Sequence, residues 1–331
     1  MLSVTLFGSL SVALGTGVAG AHAITLPTRQ AALLAFLALG RGRYFSRWQI
    51  VQTLWGDSQD AMSLGPLNTA LWRLRKAIEQ APAKVGDYLV TNRQGALGLN
   101  GPGEVWLDVD EFARLTRAGL GKPLPQLSPA DICDLQAALL LYKGEFLTGF
   151  NDPWASVERE RYRRLYLNAL GRLTQIHAVR QDYLGAIDYS QAILDLDPLR
   201  EDVHRDLMRY YVMQGQRTLA LRQFELCRDN LRRELAVAPM RETLILYRRI
   251  ADHADHAGRA AGETVECGTG PRPTAWPAGA LAQAAGMIDD ASLQRLAPSQ
   301  HLETARRLLA EVDRQLLAYL NAQQSEAAPP D

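Results

Sequence analysis

The chain has 331 residues, 47% of them apolar and 22% charged, an ordinary globular composition that excludes a collagen-like, low-complexity or wholly disordered protein. Formal net charge is zero, yet the first 100 residues carry nine Lys/Arg against four Asp/Glu, so a polyanionic partner is expected for that end alone. Cys133, Cys227 and Cys267 are odd in number and lack metal-ligand spacing, which argues against a disulfide framework or a metal site and for a reducing, cytoplasmic compartment.

Residues 1–23 are almost wholly apolar or small and end in Ala21-His22-Ala23, which imitates a signal-peptidase site. The first basic residue is Arg29, so a charged leading region is missing. Val4, Leu6, Leu10, Val12 and Leu14 fall on alternate positions, and glycines interrupt the run. That period predicts two or three short strands over 1–26 rather than an apolar helix. No run reaches the roughly 20 apolar residues of a membrane span, so no membrane partner is expected.

The period then changes. Ala31, Leu34, Ala35, Leu37 and Ala38 predict a helix with Thr28 as its N-cap and Gly40 as its stop. Ser46 is placed to cap a second helix carrying Ile50, Val51, Leu54 and Trp55 on its apolar side. Gly56 to Gly65 reads as a polar loop, and a third helix is expected from about Pro66 to Gln80. Tyr88–Thr91 and Ala96–Leu99 flank Asn92-Arg93-Gln94-Gly95, a turn signal that predicts a β-hairpin.

On a wheel, Leu67, Leu71, Leu74 and Ile78 of the third helix form one buried stripe. The far side carries Thr69, Trp72, Arg73 and Lys76, with Asn68 and Arg75 on the flanks. A basic, hydrogen-bonding outer face suits the DNA major groove, although the same charges also suit plain solvation. Trp72 tips the balance, because an indole is a poor solvating group. Either it packs beneath the hairpin, or it meets DNA sugars and thymine methyl groups. Arg73 is the candidate for base contact, Arg75 and Lys76 for phosphates, and Arg93, at the hairpin tip, for the minor groove or its phosphates.

Beyond Pro102 the pattern is helical almost throughout, with helices expected near 108–119, 129–142, 155–180, 183–195, 200–214, 217–233 and 240–253. Ala186 and Ala220 lie 34 residues apart, the tetratricopeptide (TPR) period, each opening the second helix of a pair. Ser190 stands where that repeat expects Phe. Two pairs and a capping helix from Met240 make a short α-solenoid, usually a protein-binding surface. The Gly, Ala and Pro of 257–285 predict a flexible linker, assigned to 256–300. A last helix is expected near 301–322, within a C-terminal 301–331 that ends in a disordered tail. Its Leu302, Ala305, Leu309, Val312, Leu316 and Tyr319 form a seam suited to docking or self-association.

The fold class is therefore mainly α with a small β component: a winged helix-turn-helix over 1–100, then a TPR-like solenoid over 101–255. His177, His204, His253 and His256 are scattered with no nucleophile beside them, and no Gly-x-x-x-x-Gly-Lys-Ser/Thr loop occurs. No catalytic residue, cofactor or metal is expected.

Residues 1–100 resemble the OmpR/PhoB-type winged helix through Leu71-Trp72-Arg73-Leu74-Arg75-Lys76-Ala77-Ile78. Residues 105–255 resemble the bacterial transcriptional activator domain. The motifs are Tyr142-Lys143-Gly144-Glu145-Phe146-Leu147-Thr148-Gly149, Trp154 with Glu158-Arg159-Glu160-Arg161, and Asp197-Pro198-Leu199-Arg200-Glu201. Together the two are the layout of the SARP (Streptomyces antibiotic regulatory protein) family. The resemblance implies an activator that binds direct repeats in double-stranded DNA as adjacent, self-associating protomers and recruits RNA polymerase. It also implies polymerase contacts in the Gly56–Gly65 loop, at Asp57, Gln59 and Asp60, and a nucleoid-associated location. Two positions depart from the family pattern. The wing reads Gly95-Ala96-Leu97-Gly98-Leu99 where the family has Gly followed by Tyr, and Trp72 replaces a small or polar residue. A TPR-like interaction scaffold whose winged helix no longer binds DNA is the competing reading.

Overall fold

The computed structural model describes residues 1–15, 22–56, 63–81 and 83–260, with side chains through 252. Asp57, Gln59 and Asp60, Cys267, the side chains of His253 and His256, and the expected C-terminal helix lie outside the described residues.

The chain opens with β1 (Leu2–Thr5), β2 (Ser11–Leu14) and β3 (His22–Ile24), paired antiparallel in that order. Leu2, Val4 and Leu6 are fully buried, so their alternation places one face of β1 against the core. Gly8, at φ +82, makes the turn into β2.

Three helices follow: α1 (Thr28–Leu39), α2 (Arg47–Trp55) and α3 (Gly65–Ile78). Thr28 is not the cap of α1. Pro27 holds that position without a side-chain bond, its φ of −61° already suiting helix entry. Ser46 does cap α2, accepting from the Gln49 amide at 3.1 Å. The hairpin is β4 (Val90–Thr91) with β5 (Leu97–Gly98), in register Val90 with Gly98 and Thr91 with Leu97.

One strand escaped the sequence reading. β6 (Val105–Leu107) pairs parallel with β1 and completes a four-stranded sheet of order β3-β2-β1-β6. Three residues are too few to show a period of two. The next residue, Asp108, is buried. Its carboxylate accepts from the amides of Leu6, Phe7 and Val109 at 2.8–2.9 Å, ending the sheet and starting α4 (Asp108–Gly121). Burial pushes this carboxyl above its ordinary 3.8 against the pull of those amides.

The remaining helices are α5 (Pro129–Leu141), α6 (Pro153–Val179), α7 (Tyr183–Leu196), α8 (Glu201–Met213), α9 (Arg217–Leu235) and α10 (Arg241–Ala260). α10 extends into the start of the stretch expected as linker. Ala186 of α7 and Ala220 of α9 are fully buried where α7 packs on α6 and α9 on α8. Ser190, in the place of the repeat's Phe, is buried with its hydroxyl donating to the Ala186 carbonyl at 2.8 Å. Phe224 keeps the Phe role in the next pair and stacks on Tyr247, ring centroids 4.0 Å apart.

The family-like motifs mark joints. In Tyr142–Gly149, the Gly8 amide donates to Glu145 O, Leu147 donates to Leu6 O and Thr148 to Gly8 O, which sews this loop onto the β1–β2 turn. Arg159 donates to the carbonyls of Phe146, Leu147 and Phe150 and so braces Leu147 at its positive φ. In the Asp197–Glu201 motif, the Pro198 carbonyl accepts from His204 Nε2 at 3.0 Å, while His204 Nδ1 lies 2.7 Å from the Gln223 amide nitrogen. Those partners fix a neutral imidazole, and burial holds its pKa below the ordinary 6.5.

Phe7, Phe112, Tyr142, Phe146 and Tyr162 form one aromatic cluster reaching from the sheet to α6. Phe36 of α1 meets Trp154 of α6 edge-on, centroids 5.7 Å apart. The winged helix and the first helices behind it thus share a core. A second core, built on Leu207, Met208, Phe224 and Ile250, joins α7 to α10.

Candidate nucleic-acid interface

The outer face of α3 is set by its inner one. Leu67, Leu71, Leu74 and Ile78 are buried as their spacing predicts, so the positions between them point outward. Asn68, Thr69, Trp72, Arg73 and Lys76 are exposed together on one side. Pro66 sits in the first turn, where a missing N–H costs nothing. Arg73 borders an open groove of about 510 Å³ between the start of α1 and α3, lined also by Arg29, Trp55 and Thr69. The Arg29 guanidinium donates to the Leu54 carbonyl at 2.7 Å and lies over the Trp55 ring, so its charge is held at the groove edge.

Trp72 does not pack beneath the hairpin. It is 62% exposed, and the Lys76 ammonium sits 5.4 Å from its ring centre. The support beneath the hairpin comes from other side chains. Arg75 is half-buried and turns inward, donating to the Leu89 carbonyl at 3.2 Å. Glu79 is buried and accepts from the amides of Tyr88 and Leu89 at 3.2 and 2.9 Å. Arg75 was expected at phosphates with Lys76; the structure separates the two, binding Arg75 to the base of the wing and leaving Lys76 exposed.

At the tip of the hairpin Arg93 is exposed. Asn92 Oδ1 accepts from the amides of Gln94 and Ala96, and Gly95 takes φ +82, so the turn is rigid under Arg93.

Sequence reasoning missed Arg47. Its Nη1 donates to Asn68 Oδ1 at 2.6 Å and its Nε to the Gly95 carbonyl at 3.2 Å, tying α2, α3 and the wing tip through one guanidinium. Its place one residue after the Ser46 cap signals a helix start, not partners 21 and 48 residues away. The charge balance is equally a matter of placement. Glu79 and Asp87 both spend their carboxylates on backbone amides, Asp87 on that of Lys84. Among the described residues, Arg73, Lys76 and Arg93 remain outward and carry positive charge on this face.

Among the described residues no cluster of three or more His, Cys, Asp or Glu is placed to hold a metal ion. No described helix is long and apolar enough to cross a membrane. Cys227 is buried, which pushes its thiol up to about 12.

A winged helix with a cationic third helix, followed by helical repeats, defines the class. Residues 21–95 match the family described as "Transcriptional regulatory protein, C terminal", and residues 107–251 match the "Bacterial transcriptional activator domain". The two matches fall in the order of the SARP layout, a transcriptional-regulator C-terminal domain followed by a bacterial transcriptional activator domain, and the chain is similar to that layout over both. It is 27% identical over 255 residues to the regulatory protein AfsR of Streptomyces coelicolor, covering 76% of this chain and 25% of that protein. The chain thus spans about a quarter of the AfsR relatives. It is 24% identical over 228 residues to the transcriptional regulatory protein MoaR1 of Mycobacterium tuberculosis, covering 67% of this chain and 71% of MoaR1. Among solved structures, Mycobacterium tuberculosis EmbR in complex with a low affinity phosphopeptide aligns with a TM-score of 0.61 at 19% identity, over 79% of this chain and 69% of EmbR. That likeness is one of fold.

Proposed function

We propose that this chain is a sequence-specific DNA-binding transcriptional regulator, an activator that sets α3 in the major groove of direct repeats near promoters and recruits RNA polymerase. The observation that carries the reading is the outer face of α3, where Arg73, Lys76 and Trp72 are exposed while the acidic neighbours Glu79 and Asp87 are turned onto backbone amides. Arg73 grips a base edge, Lys76 and Arg93 meet phosphates, and Trp72 offers an apolar face to sugars and thymine methyls. Self-association on adjacent repeats and contact with polymerase are what the match to the bacterial transcriptional activator domain implies, and similarity to the regulatory proteins AfsR and MoaR1 supports a regulator.

Selection from randomised duplexes followed by gel shift tests this. The wild type is expected to enrich a sequence whose binding weakens steeply with salt as phosphate counterions are released. Arg73→Ala should lose that specific binding with an unchanged melting temperature. A variant that retards the selected duplex as well as wild type would remove α3 from the interface. A wild type that enriches no sequence would leave a helical interaction scaffold instead.

A further inference from the structure

The bond between Arg47 and Asn68 has a chemical direction. A guanidinium donates only, so the amide atom facing it at 2.6 Å is the oxygen Oδ1. The two N–H groups of the Asn68 amide are then the edge turned away from Arg47. Asn68 is exposed on the first turn of α3, the part of a recognition helix that meets base edges. The other arm of Arg47 is anchored on the Gly95 carbonyl, so the guanidinium cannot follow a rotating amide without releasing the wing tip.

On this basis we infer that Arg47 is a positioning residue that sets base preference at one site: it holds Asn68 with its N–H edge toward DNA, so Asn68 reads keto bases. The inference rests on the DNA-binding reading above. In the major groove guanine offers O6 and N7, thymine O4 and adenine N7 as acceptors, whereas cytosine N4 and adenine N6 are donors. A free asparagine commonly grips adenine through both its oxygen and its nitrogen. Arg47 fixes the direction of that oxygen and turns it from the base, so the two-point grip is lost, and guanine O6 with N7, or thymine O4, suits the N–H edge better than adenine, whose N7 stands beside the N6 donor.

The test compares base preferences in duplexes selected by the intact protein and by variants. The position read by Asn68 is the one whose preference disappears in Asn68→Ala. There the wild type should favour guanine or thymine over adenine or cytosine by about threefold to tenfold, at or below the discrimination of a bidentate base contact. Arg47→Ala should level that preference while the positions read by Arg73 keep theirs, and Arg47→Lys, which restores a donor, should recover part of it. Asn68→Asp keeps a partner for Arg47 but has no N–H to offer, so it should turn the preference toward cytosine or adenine. This last variant leaves Arg47 and the wing in place and decides the matter even if Arg47→Ala melts early. Adenine or cytosine preferred by the wild type, an Arg47→Ala preference equal to wild type, or an Asn68→Asp that still favours keto bases would each overturn the assignment. If the wild type enriches no sequence at all, the DNA-binding reading itself fails, which is seen before any variant is compared.

Discussion

Trp72 shows how far a single residue can be read. The wheel put it outward, and its size argued for a contact, either with the protein's own hairpin or with DNA. The structure leaves the ring exposed beneath Lys76, because Arg75 and Glu79 already occupy the underside of the wing. Trp72→Ala is therefore expected to change stability by no more than about 0.5 kcal/mol, as for an exposed surface position, and to weaken DNA binding. Thermal melting distinguishes this from a core indole, whose loss costs about 3–5 kcal/mol. Arg47 and Arg75 were unreadable for a common reason. A long cation's partner is chosen by what folds beside it, and both found backbone carbonyls far along the chain.

Most helices were legible within two or three residues, since each carries its own period; α10, expected to end near 253, runs on to Ala260. The start of α5, expected near 129, is fixed by a capping box. Ser128 and Asp131 exchange bonds, with Asp131 Oδ2 accepting from the Ser128 amide at 2.9 Å, and Lys122 adds a salt bridge at 2.8 Å. The Lys122 and Ser128 bonds hold the Asp131 carboxyl down at about 2 rather than 3.8. A depressed acid stabilises the fold above its ordinary pKa and loses that contribution as pH falls toward its folded value. Asp131→Asn should thus melt below wild type at neutral pH, and the two melting curves should converge between pH about 4 and about 2. A gap of constant size across that range would show that the carboxylate charge is irrelevant.

Glu201 joins elements rather than starting one. Buried at the head of α8, its Oε1 accepts from the Met240 amide and from the Thr243 hydroxyl, so α8 holds the N-terminal turn of α10. Removing it leaves the buried Thr243 hydroxyl and the part-buried Met240 amide without this acceptor, at a cost of about 1–3 kcal/mol. Glu201→Ala is expected to lower the melting temperature and expose α10 amides to exchange, with a smaller loss in Glu201→Gln, which keeps an acceptor.

For the molecule as a whole, the shared core between the winged helix and α4 to α6 matters most. Phe7 touches Phe112, Tyr142 and Tyr162, with centroids 4.9–5.4 Å apart, while its own amide and that of Leu6 donate to Asp108. Phe7→Ala should cost about 3–5 kcal/mol and weaken hydrogen-exchange protection in α1 and α6 together. Loss confined to the winged helix would mean that the two regions open separately.

What the sequence determined by itself is everything that local periodicity encodes. The strand–helix–hairpin order, most of the described helices within a few residues, the buried stripe of α3 and the small residues that let repeat helices approach all have a one-dimensional signature. Tertiary structure alone decided which long side chains face inward, how β6 closes the sheet, and that Tyr142–Gly149 sews the second region to the first. Those outcomes depend on pairing residues more than a hundred positions apart, such as Asp108 and Leu147 with Leu6. Such pairs leave no period in the chain, because a charged or polar group takes whichever partner the packed core brings within hydrogen-bond reach.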